Sequence, residues 1–304
     1  MGKVVELLAL AVAPGLFLLL YLYLKDRHEP EPLALVTRTF FAGALMAVPV
    51  VAVGEFVLVP AAEAMGLPGG RLWPWWQAFV TAGLLEETCK LAAVWFVAYR
   101  NPNLNEPYDG ILYAAAASLG FATIENVAYV VPQADLSVGV ARAVLAVPAH
   151  AMFGVAMGYY LGRAKFKPPG LRRRLMGAAA LAVPVVLHGV YDLLVQDAGD
   201  QLAFILLYPL VAFLWVRGLR QVDELLARSP FSRQPGRQVY LASRCPRCGT
   251  PLVAGARFCF HCGRPVAPEA AVAAGDGEAA AAAGPAPAAA AEPPAPAAEG
   301  ALGQ

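Results

Sequence analysis

A set of acidic, basic and imidazole side chains interrupts four otherwise apolar stretches of this chain. Glu86, Glu87 and Lys90 lie in the run LLEETCK, and Glu125 with Asn126 closes GFATIEN. His150 sits in PAHAMFG, and His188 and Asp192 in LHGVYD. Ionisable groups are costly in lipid, so within apolar spans they face a protein interior and mark function. Glu86 and Lys90 are four residues apart, as are His188 and Asp192, so each pair shares one helix face. Glu87 points about a third of a turn from Glu86, so at most one of the two is expected to aim squarely at a common centre. Lys90 is expected to neutralise Glu86. His188 has two candidate carboxylates, Asp192 on its own helix or Glu125 across helices, and such a partner would fix its tautomer.

The chemistry that wants this set is peptide hydrolysis. A carboxylate, with or without a metal, deprotonates a water, and imidazoles ligate that metal or move protons. Proton- or ion-coupled transport uses the same residue types, and a non-catalytic membrane scaffold needs none of them. Glu55 and Arg142 are weaker candidates. Cys89, beside two carboxylates and with no histidine near it in sequence, reads as packing rather than as a nucleophile.

A second group is local. Cys245-x-x-Cys248-Gly249 and Cys259-x-x-Cys262-Gly263 form two knuckles ten residues apart, and four thiolates at this spacing suit structural tetrahedral zinc. His261 is spare. Arg244, Arg247, Arg257 and Arg264 with Phe258 and Phe260 make a poor nucleic-acid platform, so a protein contact is the expected role.

The elements that must position these residues are membrane spans. Of 304 residues, 59% are hydrophobic and 15% charged, against about 25% charged in soluble domains. A spanning helix needs roughly 20 apolar residues. Seven runs qualify: 4–24, 33–59 (with Pro49 near its middle), 75–99, 109–131, 137–161, 175–195 and 201–219. The fold class is therefore an all-α polytopic membrane protein, with a small ribbon and a disordered tail. The expected division is 1–222 for the membrane domain, 223–243 for a linker, 244–265 for the ribbon and 266–304 for an Ala/Pro-rich tail. Lys and Arg cluster in the odd-numbered loops and after the last span, most densely from Arg163 to Arg174, which puts the N-terminus outside and the tail in the cytoplasm. Trp73, Trp75 and Trp76 then sit where an outer aromatic belt belongs. Counting along alternating helices places the polar residues between mid-membrane and the outer third.

These motifs together resemble the PrsW-type membrane proteases, which are similar to the wider CAAX-protease and bacteriocin-processing superfamily. Glu86-Glu87-x-x-Lys90 resembles the family's Glu-Glu-x-x-Lys motif, and Phe121-x-x-x-Glu125 its Phe-x-x-x-Glu motif. His150 with Gly154, and His188 with Asp192, resemble its later histidine motifs. The resemblance covers roughly residues 5–220. It implies a multi-pass bacterial metalloprotease that cuts a membrane-protein substrate, such as an anti-sigma factor, near the outer face. Glu86 and Glu87 would then hold the base role, and His150, His188 and Glu125 would bind a divalent metal, zinc first, or polarise the scissile carbonyl.

Overall fold

The structure is a computed structural model describing residues 2–196, 201–231, 241–253, 259, 262 and 264–266. Helical runs dominate it: α1 Gly2–Lys25, α2 Leu33–Ala64, α3 73–99, α4 Pro107–Gln133, α5 Leu136–Lys165, α6 Leu171–Gln196 and α7 Gln201–Leu226. Six are long and apolar enough to cross a membrane by length and composition. The run 73–99 matches them in length but carries Glu86, Glu87 and Lys90. Helices are the expected solution, because a backbone in lipid must satisfy its own hydrogen bonds. The helices outrun the expected spans at several ends, and α7 continues past residue 222 to Leu226.

Proline and wide turns shape these helices. α2 loosens at Met46, three residues before Pro49, whose ring crowds the preceding turn and offers no N–H. Stretches of π-helix occupy Gly54–Leu58, Trp76–Glu86, Trp95–Tyr99 and Arg142–Ala146.

α4 is the central element, buried continuously from Tyr108 to Thr123. Its sequence is rich in small residues, and this permits close helix contact where lipid supplies no hydrophobic drive. Gly110, Ala114 and Ser118 form one row at four-residue spacing, facing Gly154, Gly158 and Gly162 of α5. A Cβ at Gly154 would sit 2.9 Å from the Ala114 carbonyl oxygen, and one at Gly158 would collide with the Gly110 carbonyl. On another face of α4, Gly120 lies against the Phe40 carbonyl of α2. α3 and α6 approach through Gly83, where a Cβ would lie 2.8 Å from the Val185 carbonyl oxygen.

The ribbon pairs β1 Leu241–Arg244 antiparallel with β2 Pro251–Val253. Between them the first knuckle turns at Gly249, whose φ of 71° suits glycine. Its N–H donates to the Cys245 carbonyl at 2.9 Å. His261 and Gly263 lie outside the described residues, as does the tail beyond residue 266.

Candidate active site

Each polar residue reaches the interior through the packing just described. Glu86 and Glu87 stand at the junction where the π-helical stretch of α3 gives way to α-helix. Gly83, one turn earlier, brings this junction against α6 and His188. On α4, Ser118 donates to the His150 carbonyl at 2.6 Å, which ties the depth of α5 to that of α4.

At the centre lies Lys90, fully buried. An ammonium has three N–H donors and no acceptor, and three acceptors surround this one: Glu86 Oε2 at 3.2 Å, Glu87 Oε1 at 2.7 Å and His150 Nδ1 at 3.1 Å. Both carboxylates thus meet one centre, contrary to the expectation from helical angle. The reason is that Lys90, at i+3 and i+4, is long enough to lie between them. Lys90 is also closer to Glu87 than to Glu86. Its ammonium stands 4.5 Å from the centroid of the Phe121 ring, in cation–π range.

The tautomers follow. His150 Nδ1 accepts from Lys90, so its Nε2–H donates to Glu125 Oε2 at 2.9 Å. Both ring nitrogens of His150 are therefore occupied. His188 Nδ1–H donates to Glu87 Oε1 at 2.9 Å, which leaves Nε2 with its lone pair. That atom lies 3.7 Å from Asp192 Oδ1 and 3.9 Å from Glu86 Oε2. The partner of His188 is thus Glu87, neither of the two expected; Asp192 is beyond hydrogen-bond range and Glu125 is taken by His150. The imidazoles of His150 and His188 pack edge to face with centroids 5.0 Å apart, and Phe153 stacks on His188 at 4.8 Å.

Arg142, a weak candidate from sequence, proves central to the charge balance. Its Nε donates to Asn126 Oδ1 at 2.7 Å and its Nη2 lies 3.0 Å from Glu125 Oε2. The signal available was a lone arginine inside an apolar span beginning at 137. Cys89 is half-buried and outside this network. Glu55 is exposed and lies on the wall of a cavity of about 490 Å³. The same cavity reaches Glu86, Glu125 and Asp192, and its other walls are mostly apolar, including Val51 and Ile124.

The donor set suits a divalent metal. One ligand atom each from Glu86, His150 and His188 lie within 4.8 Å of one another. The free lone pair of His188 Nε2 faces carboxylates at 3.7 and 3.9 Å, near the roughly 3.4 Å edge of a tetrahedron with bonds of about 2.05 Å. Glu87 Oε2 is buried without a hydrogen-bond partner. In the ribbon, Cys245 and Cys262 have Sγ atoms 3.6 Å apart, and Cys248 and Cys259 3.5 Å. These separations fit the edges of a tetrahedron with zinc–sulfur bonds of about 2.3 Å, and the four cysteines form a ligand-competent group.

Comparison with known proteins agrees with this geometry. Residues 31–216 match the model of the PrsW family intramembrane metalloprotease, and residues 244–266 match a zinc-ribbon domain. Protease PrsW of Geobacillus kaustophilus is 42% identical over 219 residues, covering 72% of this chain and 92% of that protein. Protease PrsW of Bacillus subtilis is 36% identical over 72% of this chain and 94% of its own. That of Clostridioides difficile is 32% identical, with 74% and 93% covered. No solved structure matches the chain. These matches favour membrane-embedded proteolysis over transport or scaffolding, and they make the chain a multi-pass protein of a bacterial membrane. The chain belongs to the PrsW family of intramembrane metalloproteases.

Proposed function

We propose that Glu86 is the base that activates water for cleavage of a membrane-protein substrate lying in the cavity between α2, α3 and α4. The observation that carries this is the division of labour around Lys90. Glu86 opens on the cavity, whereas Glu87 is fully buried and spent on Lys90 and His188. Glu86 takes the proton as water attacks the scissile carbonyl, and returns it to the leaving amine as the C–N bond breaks. Glu87 holds the His188 ring so that Nε2 faces the reaction space. His150 carries hydrogen bonding from Lys90 to Glu125, and Arg142 balances the charge of Glu125.

A divalent metal, zinc first, would be held by His188 Nε2 with Asp192, beside Glu86 as the base, and when bound it would supply Lewis-acid polarisation of the carbonyl. His150 reaches that position only by giving up Lys90 or Glu125.

The apolar cavity walls favour a hydrophobic stretch of substrate, such as that of an anti-sigma-like regulator. The Lys/Arg bias of the loops favours an external N-terminus, a cytoplasmic tail and a cut toward the outer face. The ribbon, which begins with β1 at Leu241 after α7 has ended at Leu226, suits contact with a cytoplasmic protein. The test is cleavage of single-pass substrates in lipid by wild type, Glu86→Gln, Glu87→Gln and His188→Ala. It is run with and without chelator, in a ribbon-deleted background so that ribbon zinc does not confuse the result. Loss of cutting in folded variants supports the assignment, and wild-type rates in Glu86→Gln overturn it.

A further inference from the structure

A second buried group of carboxylates lies at the other end of α4, where nothing in the proteolytic chemistry requires one. Asp26 follows α1, while Glu106 and Asp109 open α4 as its N-cap and third residue. They are 4%, 0% and 0% exposed, and one oxygen from each comes within 4.8 Å of the others. Asp109 is sixteen residues before Glu125 on one helix, so the group is about 24 Å from the active site.

Each carboxylate is anchored by hydrogen bonds, and Glu106 and Asp109 together form the capping box of α4. Asp26 Oδ1 accepts from the backbone N–H of His28 at 3.2 Å and of Glu29 at 3.3 Å. Asp109 Oδ2 accepts from the N–H of Asn105 at 2.7 Å and of Glu106 at 2.8 Å. Glu106 Oε2 accepts from the Ser229 hydroxyl, beyond the end of α7. The second oxygen of each, Asp26 Oδ2, Glu106 Oε1 and Asp109 Oδ1, is buried without a hydrogen-bond partner. A buried carboxylate oxygen with no partner is costly, and three together are costlier. Glu31 stands beside Asp109, where burial and the Asp109 charge push its carboxyl well above the usual carboxylate range.

Among the described residues no ion pair joins Asp26, Glu106 or Asp109 to a Lys, Arg or His. Lys165 feels the charge of Asp109 and Glu31 from a distance, and His28 that of Asp26, but the Lys165 ammonium donates to the Tyr99 carbonyl at 2.6 Å. Burial pushes the Asp26 carboxyl up to about 6, and burial with the charges of Asp26 and Glu29 pushes that of Glu106 up to about 7.

We propose that Asp26, Glu106 and Asp109 bind a hard divalent cation of the Mg²⁺, Ca²⁺ or Mn²⁺ class. The donor set is all oxygen, with no imidazole or thiolate, which selects this class over zinc. The cation ties the α1–α2 loop to the start of α4, and through Ser229 to the end of α7. It is a structural clamp on the bundle, separate from the metal chemistry of the active site.

The test uses the full-length protein in detergent, its ribbon preloaded with zinc, and Mn²⁺ as the probe. Free Mn²⁺ is followed by its paramagnetic resonance signal while Mg²⁺ or Ca²⁺ competes. The expected result is one competable Mn²⁺ per chain, retained in the Glu86→Gln, His188→Ala double variant. It should weaken at least about tenfold in Glu106→Gln and in Asp26→Asn. Both substitutions keep an acceptor for the anchoring hydrogen bonds, and Mn²⁺ should raise the unfolding midpoint of wild type but not theirs. No Mn²⁺ binding and no shift in the wild-type midpoint would mean that the carboxylates share protons instead, and would overturn the proposal. Loss of the ion in the double variant with retention in Glu106→Gln would overturn it equally.

Discussion

The two buried carboxylate groups on α4 differ in how their charge is answered. Around the candidate active site, Glu86 and Glu87 enclose Lys90, and Glu125 is flanked by Arg142 and His150. Most of the charge there is answered by Lys90 and Arg142, cations of the chain itself, so the members of the network can specialise. At the opposite end, Asp26, Glu106 and Asp109 have backbone and hydroxyl donors but, among the described residues, no ion pair with a Lys, Arg or His. Burial of the same residue type thus gives a network ion-paired by Lys90 and Arg142 in one place and, among the described residues, a carboxylate group without an ion-paired cation in the other.

The largest effect that tests this contrast is catalytic. Glu86→Gln or His188→Ala should lower cleavage at least about a thousandfold, with helical content and unfolding midpoint kept. Cleavage at wild-type rates in either would make the active-site network merely structural. Next comes Lys90→Met, which leaves two buried carboxylates without their cation. Breaking a buried pair in this way costs about 3–5 kcal/mol, read as a lower denaturation midpoint in detergent. Between the two groups, Gly158→Val drives methyl groups against the Gly110 carbonyl. Overpacking of this kind costs about 1–3 kcal/mol, and separation of α4 from α5 should lower cleavage as well as stability. The smallest effect has the opposite sign. In buffer without added divalent cation, Asp26→Asn should stabilise the protein by about 1 kcal/mol, because it removes a buried charge beside two other buried carboxylates. A loss of stability there would show that the acidic group is already compensated, and the contrast would fail.

Legibility in the sequence followed the range over which each feature is built. The ribbon is local: its four cysteines lie within eighteen residues, and their spacing alone implies the tetrahedron that the Sγ separations fit. The helical runs were legible because a span must be both long and apolar, although Pro49 and Met46 show that one run bends. Glu86, Glu87, Glu125, His150 and His188 were visible as polar residues in apolar surroundings, and the structure brings them together. Asp26, Glu106 and Asp109 were not, because charged residues at helix ends look like ordinary loop punctuation.

Residue type, hydropathy and motif spacing by themselves determined the class of protein, the number of helical runs and the inventory of reactive groups. Only the tertiary structure decided who pairs with whom. It gave His188 to Glu87 rather than to Asp192 or Glu125, let both glutamates share Lys90, and made Arg142 a partner of Glu125. The physical reason is that hydrogen-bond partners are set at the scale of an ångström by how closely helices approach. That approach depends on glycines such as Gly83, Gly154 and Gly158, whose meaning lies in the backbone opposite them.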